Sequence, residues 1–570
     1  MRPAWTRMSG WARVLGTTAA ALLVIVVIGP REVGGDAGIS SRRAIREALE
    51  RPGPLRIDGR SLDRPVLTRF YGPRDFAPAW GPIDGGPERA SLLLQALATA
   101  EAHGLEPARY HVDAIRAPGT GRAAGWSVEA ELLLTDAFVR YATDLRSGRR
   151  PPGFTEADWG IPAQPFDAVS ALTRVLGEPA TWTTLLASLP PPAPDYGRLV
   201  DALRRYRAIA ARGDWPLVPA GTPLRPGDDD ARVAALRTRL AAEDERVLRG
   251  VETHYDSQLE DGVRRFQSGH GLPADGIVGR ATVRSLNVSA ADRARQITLN
   301  LERWRWLPRD LGRHYVVVNV ADAMLQVVLD GQTVLASRVV VGDVRHPTPV
   351  VRARMDAIIL NPRWSVPTSI AVAEILPRVR ENPRYLAENH MVILERRGSD
   401  PFGLKIDWAA IPLDPFPFRL QQAPGPDNPL GRIKFDIPNR FDVYLHDTPN
   451  RSLFMRPVRT ASHGCIRVER ADDLALHALN DGTGRWTKRR LEEAIAAPGS
   501  PRIALARALP VYILYWTAFA DPDGTVQFRD DVYGRDRRLA DLLGSKSGTA
   551  GPTAPDPIGG CPPPEQKAAR

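Results

Sequence analysis

The sequence predicts a multidomain α+β protein. Three observations carry that expectation: a length of 570 residues, helix-period apolar patterning through the first half, and strand-period patterning from Tyr315 onward. At ~150 residues per domain the length provides for three or four cores. Apolar residues are 43% and charged residues 25%, ordinary globular usage that excludes disorder throughout. The 52 prolines are about twice the usual share and point to many loops. Two cysteines exclude a disulfide scaffold and a four-cysteine zinc module. The net charge of +10 fits an anionic partner or surface without choosing one.

Arg2, Arg7 and Arg13 precede an apolar run over residues 14–28, which Pro30 and Arg31 break. That pattern reads as a signal peptide or a membrane anchor within residues 1–30. The run is short of the ~20 residues a spanning helix needs, and no clean cleavage site follows it. Either reading places the remainder outside the cytoplasm. Residues 31–59 are polar and read as a tether.

Residues 60–215 are helical in pattern. Residues 87–104 carry apolar positions at helical spacing and stop on Gly104. Ser127 is placed to cap the next helix, in which Phe138, Tyr141 and Leu145 share a side. Pro151–Pro152 and Pro190–Pro192 break the chain further on. No catalytic constellation stands here, so the block reads as a helical scaffold.

Residues 222–288 form a smaller unit of two helical patterns, 230–242 and 257–269, followed by the run GLPADGIVGRATVRSLN. Asp275-Gly276 is a tight-turn pair, since glycine supplies the positive φ. Arg237–Leu240 (R-x-R-L), Phe266-Gln267, His270–Leu272 and Asp275–Gly279, followed by Thr282 and Leu286, resemble the peptidoglycan-binding module of cell-wall enzymes. A generic three-helix packing domain is the alternative.

Residues 296–540 read as a β-rich domain. Strand patterns lie at 315–320, 324–329, 355–360 and 443–446, and Asp330-Gly331 marks a hairpin. Residues 370–380 are helical, and a Pro/Gly-rich stretch runs over 412–431. A connection that long is uncommon unless it is functional, for example as a lid. Residues 541–570 read as a disordered tail.

The chemistry gathers at Ser462-His463-Gly464-Cys465, with His446 upstream at a strand end. A thiol attacks as its thiolate, and an imidazole can take that proton and return it to a leaving amine. Gly464 lets the backbone approach a substrate, and the amides of Gly464 and Cys465 suit a developing oxyanion. Arg451, Arg456, Arg459, Arg467 and Arg470 flank the run; they form either a solvated face or a site for substrate carboxylates. Taken alone, Cys465 would more often be a small buried hydrophobe. His446, His463 and Cys465 could hold zinc, but no fourth ligand stands at metal-like spacing. Tyr444 and Trp364 suit the core as well as a substrate cleft. Cys561, in the tail, reads as incidental.

The stretch YLHDTPNRSLFMRPVRTASHGCIRV, residues 444–468, resembles the signature of the L,D-transpeptidase (YkuD-type) catalytic domain. Residues 361–377, 424–439 and 512–536 are similar to the large periplasmic branch of that family, in which a scaffold and a wall-binding module accompany the catalytic domain. The resemblance covers about residues 60–536. It implies a β-rich catalytic domain in which residues 370–431 form a capping insert, and an acyl transfer without cofactor or metal. Cys465 would be nucleophile and His446 base, with Gly464, the Cys465 amide and His463 at the oxyanion. Ser462, Tyr444, Trp364 and Arg467 are the expected substrate contacts, although Arg467 stands where the shorter relatives carry asparagine. The implied partners are peptidoglycan stem peptides and, as inhibitors, carbapenem-type β-lactams; the membrane is one through the leader, and nucleic acid is not. The products would be 3→3 cross-links and free D-Ala. Hydrolysis through the same thioester, and a non-catalytic wall-binding protein, are the competing readings.

Overall fold

The computed structural model describes residues 35–81, 86–116, 126–150, 154–155, 159–162, 164–178, 181–396, 400–480 and 482–544. The expected leader (1–30) lies outside the described residues, as does nearly all of the expected tail, Cys561 included. Among the described residues no helix is long and apolar enough to cross a membrane.

The N-terminal part is helical. It comprises α1 (Gly35–Glu50), the two-residue strands β1 (Arg56–Ile57) and β2 (Arg60–Ser61), α2 (Arg64–Tyr71), α3 (Gly86–Ala98), α4 (Val112–Arg116), α5 (Val128–Ser147), α6 (Ala168–Gly177), α7 (Trp182–Ser188) and α8 (Pro194–Ala211). Local chemistry starts these helices. Asp63, Ser127 and Asp167 each accept a hydrogen bond from the amide three residues on, satisfying a donor the helix cannot. Leu67, Phe70, Leu97, Leu133, Phe138 and Trp182 share one core. The stretch expected as a tether behaves differently. Ile45 and Leu49 stand one turn apart on α1 and bury in that same core. Arg42 and Arg46 both reach Asp75, so the segment is docked.

The next unit holds α9 (Arg232–Ala241), α10 (Ser257–Gly269) and α11 (Arg280–Leu286) around Leu236, Leu240, Leu259, Val263 and Leu286. Its motif residues have a structural use. The Gln267 amide donates to the Ile277 carbonyl (2.9 Å) and to Asp275 (2.9 Å), while its oxygen accepts from the Gly276 amide (2.9 Å). Gly276 sits at φ +77°, which the turn requires.

Helix α12 (Ala290–Arg305) joins the parts. Arg305 is buried, paired with Glu302 (2.8 Å), and donates to the His103 carbonyl and to the Tyr196 hydroxyl (3.2 Å) of the scaffold. Glu302 also receives the Arg149 amide. On its other side α12 offers Asn300 to Thr517 (2.8 Å) and Arg303 to Asp536 (2.5 Å).

The C-terminal domain is built on β3 (His314–Asn319), β4 (Met324–Leu329), β5 (Gln332–Gly342), β6 (Val351–Leu360), β7 (Trp364–Ser365), β8 (Met391–Ile393), β9 (Leu420–Gln422), β10 (Ile433–Asp436), β11 (Leu445–His446), β12 (Thr460–Ser462), β13 (Ile466–Val468), β14 (Arg502–Leu514), β15 (Ala518–Ala520) and β16 (Val526–Phe528). The main sheet runs β12-β5-β13-β11-β10-β6-β14-β3-β4. The long β5 also pairs with β4 through its first part, so the ladder returns on itself. Helices α16 (Ala471–Leu479), α17 (Lys488–Ala496) and α18 (Arg535–Leu542) pack on this sheet.

Between β6 and β10 lies the insert. It holds β7, α13 (Thr368–Ile370), a π-helical turn (Ala371–Ile375), α14 (Leu376–Glu381), α15 (Tyr385–Glu388), β8 and β9. Strands β7-β9-β8 form a separate small sheet, and Ile375, Leu386, Ile393, Trp408 and Leu420 give the insert a core of its own. The helical segment and Pro/Gly-rich stretch expected at 370–431 belong to this unit, which begins earlier, at β7.

His270 caps α10 at the junction with the β-rich domain. Its ring lies between Phe266 (3.8 Å between centroids) and Phe528 of β16 (5.4 Å), and its Nδ1 donates to the Phe266 carbonyl at 2.7 Å. Burial first, then Arg293, pushes its pKa down to about 3. His103 is likewise pushed down, to about 4, by burial and then Arg305. The unfolded chain protonates these rings near ~6.5, so the stability they contribute is complete above that pH and is lost as pH falls toward the folded values. Thermal unfolding should therefore move to lower temperature as pH is brought from about 7 to about 4, and His270→Gln should flatten that slope. Equal slopes for the two proteins would show that His270 is not one of the groups responsible.

Candidate active site

Strands β11 and β13 run parallel, with Leu445 opposite Ile466 and His446 opposite Arg467. Side chains alternate along a strand, so Tyr444 and His446 share one face, as do Cys465 and Arg467. Leu445, Ile466 and Val468 bury on the other face and lock the register. Strand β10 places Lys434 opposite His446, and its Nζ lies 4.1 Å from the centre of the Tyr444 ring. Tyr444, Lys434 and Arg467 thus act on one thiol, and His446 shares their face of the sheet.

The loop before β13 is held by short polar contacts. Ser462 Oγ donates to the Cys465 carbonyl (2.5 Å) and accepts from the Gly464 amide (3.2 Å). Thr348 Oγ1 donates to the Gly464 carbonyl (2.8 Å) and accepts from the Gly342 amide (2.8 Å). Gly464 has φ +102°, a backbone that side chains strain. At Gly342 a Cβ would come within 2.0 Å of the His346 carbonyl oxygen and 3.1 Å of the Gly464 Cα, so two glycines allow two loops to touch.

Cys465 is partly buried, and its Sγ lies 4.0 Å from the Asp442 carbonyl. Burial pushes the thiol pKa up, against the hydrogen bonds of the Tyr444 backbone and hydroxyl and the charges of Lys434 and Arg467. Trp364 of β7 also bonds the Tyr444 hydroxyl, so the aromatic pair forms a wall beside the sulfur.

His446 is buried, and its Nδ1 meets the Asp447 carbonyl at 2.5 Å. A carbonyl only accepts, so Nδ1 carries the hydrogen that it gives to Asp447. Burial, followed by the Arg467 charge, pushes the ring pKa down to about 3, against the pull of the Asp447 and Pro429 carbonyls. The ring is neutral in the physiological range. Among the described residues it has no hydrogen bond to Cys465; the thiol's partners are the Asp442 carbonyl and Tyr444.

The other expected site residues divide. Ser462 is buried and works as a staple within the loop, so it is not open to a substrate. Gly464 does not offer a free amide, because Ser462 takes it. The Cys465 amide has no acceptor among the described residues. His463 points outward, its Nε2 2.7 Å from Glu374 of the insert and its ring 4.8 Å from that of His346. Arg467 faces the thiol and is pulled below its usual pKa by burial, against the attraction of Cys465 and Glu374. The remaining arginines are largely committed elsewhere: Arg451 to Asp447, Arg470 to Asp473, and Arg459 to the Asp322 and Ala323 carbonyls. A cleft of about 580 Å³ lined by Gly431, Arg432, Asp447, Arg451, Asp472 and Lys488 adjoins β11, and neither Cys465 nor His446 lines it.

Lys434, Thr348, Glu374 and Asp442 are site residues that the sequence did not reveal. Glu374 and Lys434 lie within the family-like stretches 361–377 and 424–439, but nothing singles out either residue there; Lys434 arrives across the sheet, Glu374 from the insert, Thr348 from the connection between β5 and β6, and Asp442 from just before β11.

Thr348→Val should remove the bond to Gly464 and leave the Gly342 amide without a partner, at a cost of about 1–3 kcal/mol. Urea unfolding measures that loss, and alkylation of the thiol should change in rate because the loop carrying Cys465 is loosened. A variant with wild-type stability would contradict the role of Thr348.

Comparison with known proteins assigns parts of the chain to described families. Residues 313–490 match the L,D-transpeptidase catalytic domain (YkuD), residues 229–286 the family described as "Putative peptidoglycan binding domain", and residues 65–203 the Scaffold domain. A curated protein of Haemophilus influenzae named "Putative L,D-transpeptidase" is 32% identical over 302 residues, which cover 52% of this chain and 59% of that protein. Two solved L,D-transpeptidase structures align more loosely. The one from Xylanimonas cellulosilytica is 16% identical, with 52% of this chain and 99% of that one covered and a TM-score of 0.18. The one from Stackebrandtia nassauensis is 13% identical, with 52% and 96% covered and a TM-score of 0.21. At those scores neither bears on the reading. The chain carries an L,D-transpeptidase (YkuD-type) catalytic domain, joined to a scaffold domain and a peptidoglycan-binding domain.

Proposed function

We propose that this protein is an extracytoplasmic, cysteine-dependent L,D-transpeptidase that forms 3→3 cross-links in peptidoglycan. The observation that carries the reading is the pairing of β11 with β13. It sets a buried neutral imidazole of fixed tautomer on the same face as a partly buried thiol, inside the matched catalytic domain.

Cys465 attacks the carbonyl between the third residue of a tetrapeptide stem, a diamino acid, and the D-Ala at position four. The thiol is not ionised at rest, because burial raises its pKa, so its proton must leave as the C–S bond forms. Nε2 of His446 is the acceptor, and the Asp447 carbonyl steadies the imidazolium through Nδ1. The Cys465 amide faces the oxyanion. His446 then gives its proton to the departing D-Ala nitrogen, and a thioester remains. The side-chain amine of a second stem resolves it. Lys434 and Arg467 suit the free carboxylates of the stems, and the Tyr444–Trp364 wall borders the acyl group. The insert over the site keeps water from the thioester, which favours transfer over hydrolysis. The small helical module holds the wall. The leader, cleaved or retained as an inner-membrane anchor, takes the chain to the periplasm. Carbapenem-type β-lactams acylate the same sulfur.

Cys465→Ala should abolish the appearance of 3→3 dimers in treated sacculi, read by muropeptide analysis, while binding to sacculi survives. Full cross-linking by that variant would remove the nucleophile assignment, and trimmed tripeptides from the wild type in place of dimers would favour hydrolysis. His446→Gln should slow acylation about 10²-fold or more, as expected for loss of a general base. One carbapenem adduct should appear by intact mass on the wild type and none on Cys465→Ala.

A further inference from the structure

The insert places one carboxylate against the loop that carries the nucleophile. Glu374 lies in the π-helical turn, and its position has a sequence cause. Pro377 has no N–H to complete the helical bond to Ala373, and the backbone widens there to a π turn. Ala371 and Ile375 bury in the insert's core on one side of the turn. Glu374 leaves the other side and meets His463 Nε2 at 2.7 Å, two residues before Cys465. It also acts on Arg467, as Cys465 does. Both partners are partly open to solvent, with His463 40% and Glu374 39% exposed, so the contact can be exchanged. The other charges gathered round the sulfur are those of Lys434 and Arg467. They suit carboxylates and repel an incoming ammonium.

We propose that Glu374 receives the ammonium group of the acceptor stem, which displaces His463 from the carboxylate and is held beside the thioester. The assignment rests on the transpeptidase reading and deepens it by naming the residue that selects an amine over water. The free acceptor amine is an ammonium in neutral water. Bound at Glu374 on the solvent-open rim, it releases one proton to water. Its lone pair then forms the C–N bond, the C–S bond breaks, and the second proton passes through His446 to the sulfur. The products are the amide, the Cys465 thiol and one proton in solution, so atoms and charge balance.

The test uses the full-length protein with a tetrapeptide donor and a diamino-acid stem as acceptor. Glu374→Gln, which keeps the shape and loses the charge, should raise the acceptor KM and lower the ratio of cross-linked to hydrolysed product by about tenfold or more. The first-turnover burst of D-Ala, which reports acylation alone, should change by less than about threefold. Glu374→Asp should recover part of the ratio. Hydroxylamine, largely uncharged at neutral pH, should be used as acceptor almost equally by the variant and the wild type. An unchanged ratio would overturn the proposal. So would an equal fall with amine and hydroxylamine, which would make Glu374 only a clasp between the insert and His463. Absence of D-Ala release from the wild type would instead overturn the transpeptidase reading itself, and this assignment with it.

Discussion

The parallel pairing of two very short strands, β11 and β13, is the constraint on which the site depends. Parallel neighbours cannot be joined by a tight turn, so the chain must leave the sheet after His446 and return before Ile466. The excursion is secured at both ends by the same residues that flank the chemistry. Asp447 takes the Arg432 amide (3.0 Å) and Arg451 (3.2 Å), and Ser462 closes the return. A slip of one residue would turn Tyr444 and His446 into the core and Leu445 out of it, which their burial forbids. Hydrophobic packing beneath the sheet therefore sets the chemistry above it.

Burial also sets the resting charge state. It moves the thiol and the imidazole in opposite directions, each toward its neutral form. A pair of this kind does not advertise a thiolate to solvent. Lys434 and Arg467 bring positive charge toward the sulfur, and the Asp447 carbonyl brings a partial negative charge to the ring.

Much of this was legible in the chain. The run Ser462–Cys465 with His446 upstream singled out the candidate site, because those residue types at that spacing serve few other purposes. The α-then-β order followed from a change of period at Tyr315, and the turn at Asp275-Gly276 from that residue pair. What was not legible came from long-range geometry. Ser462 read as a substrate contact since hydroxyls suit that role, and only the loop's fold shows its bonds spent internally. The flanking arginines read as one cluster, yet sheet pairing and ion pairs send most of them elsewhere and leave Arg467 at the thiol. Glu374 and Thr348 lie far from the motif in sequence, so no window along the chain contains both partners. Residues 31–59 looked like a tether because polar composition hides three apolar positions, Ile45, Leu49 and Ile57, that bury in the scaffold core.

Helix α12 has a consequence for how the molecule can be divided. Its buried guanidinium and carboxylate groups are satisfied by three different stretches of chain, with Arg305 facing the scaffold, Glu302 receiving Arg149, and Arg303 held by Asp536. Cutting the protein at its apparent seams would strand charges that water no longer reaches easily, and an unpaired buried charge is among the costliest defects a fold can carry. The parts are modular in their sequence signatures yet thermodynamically interdependent. Recombination that exchanged one module would have to carry its half of these ion pairs along.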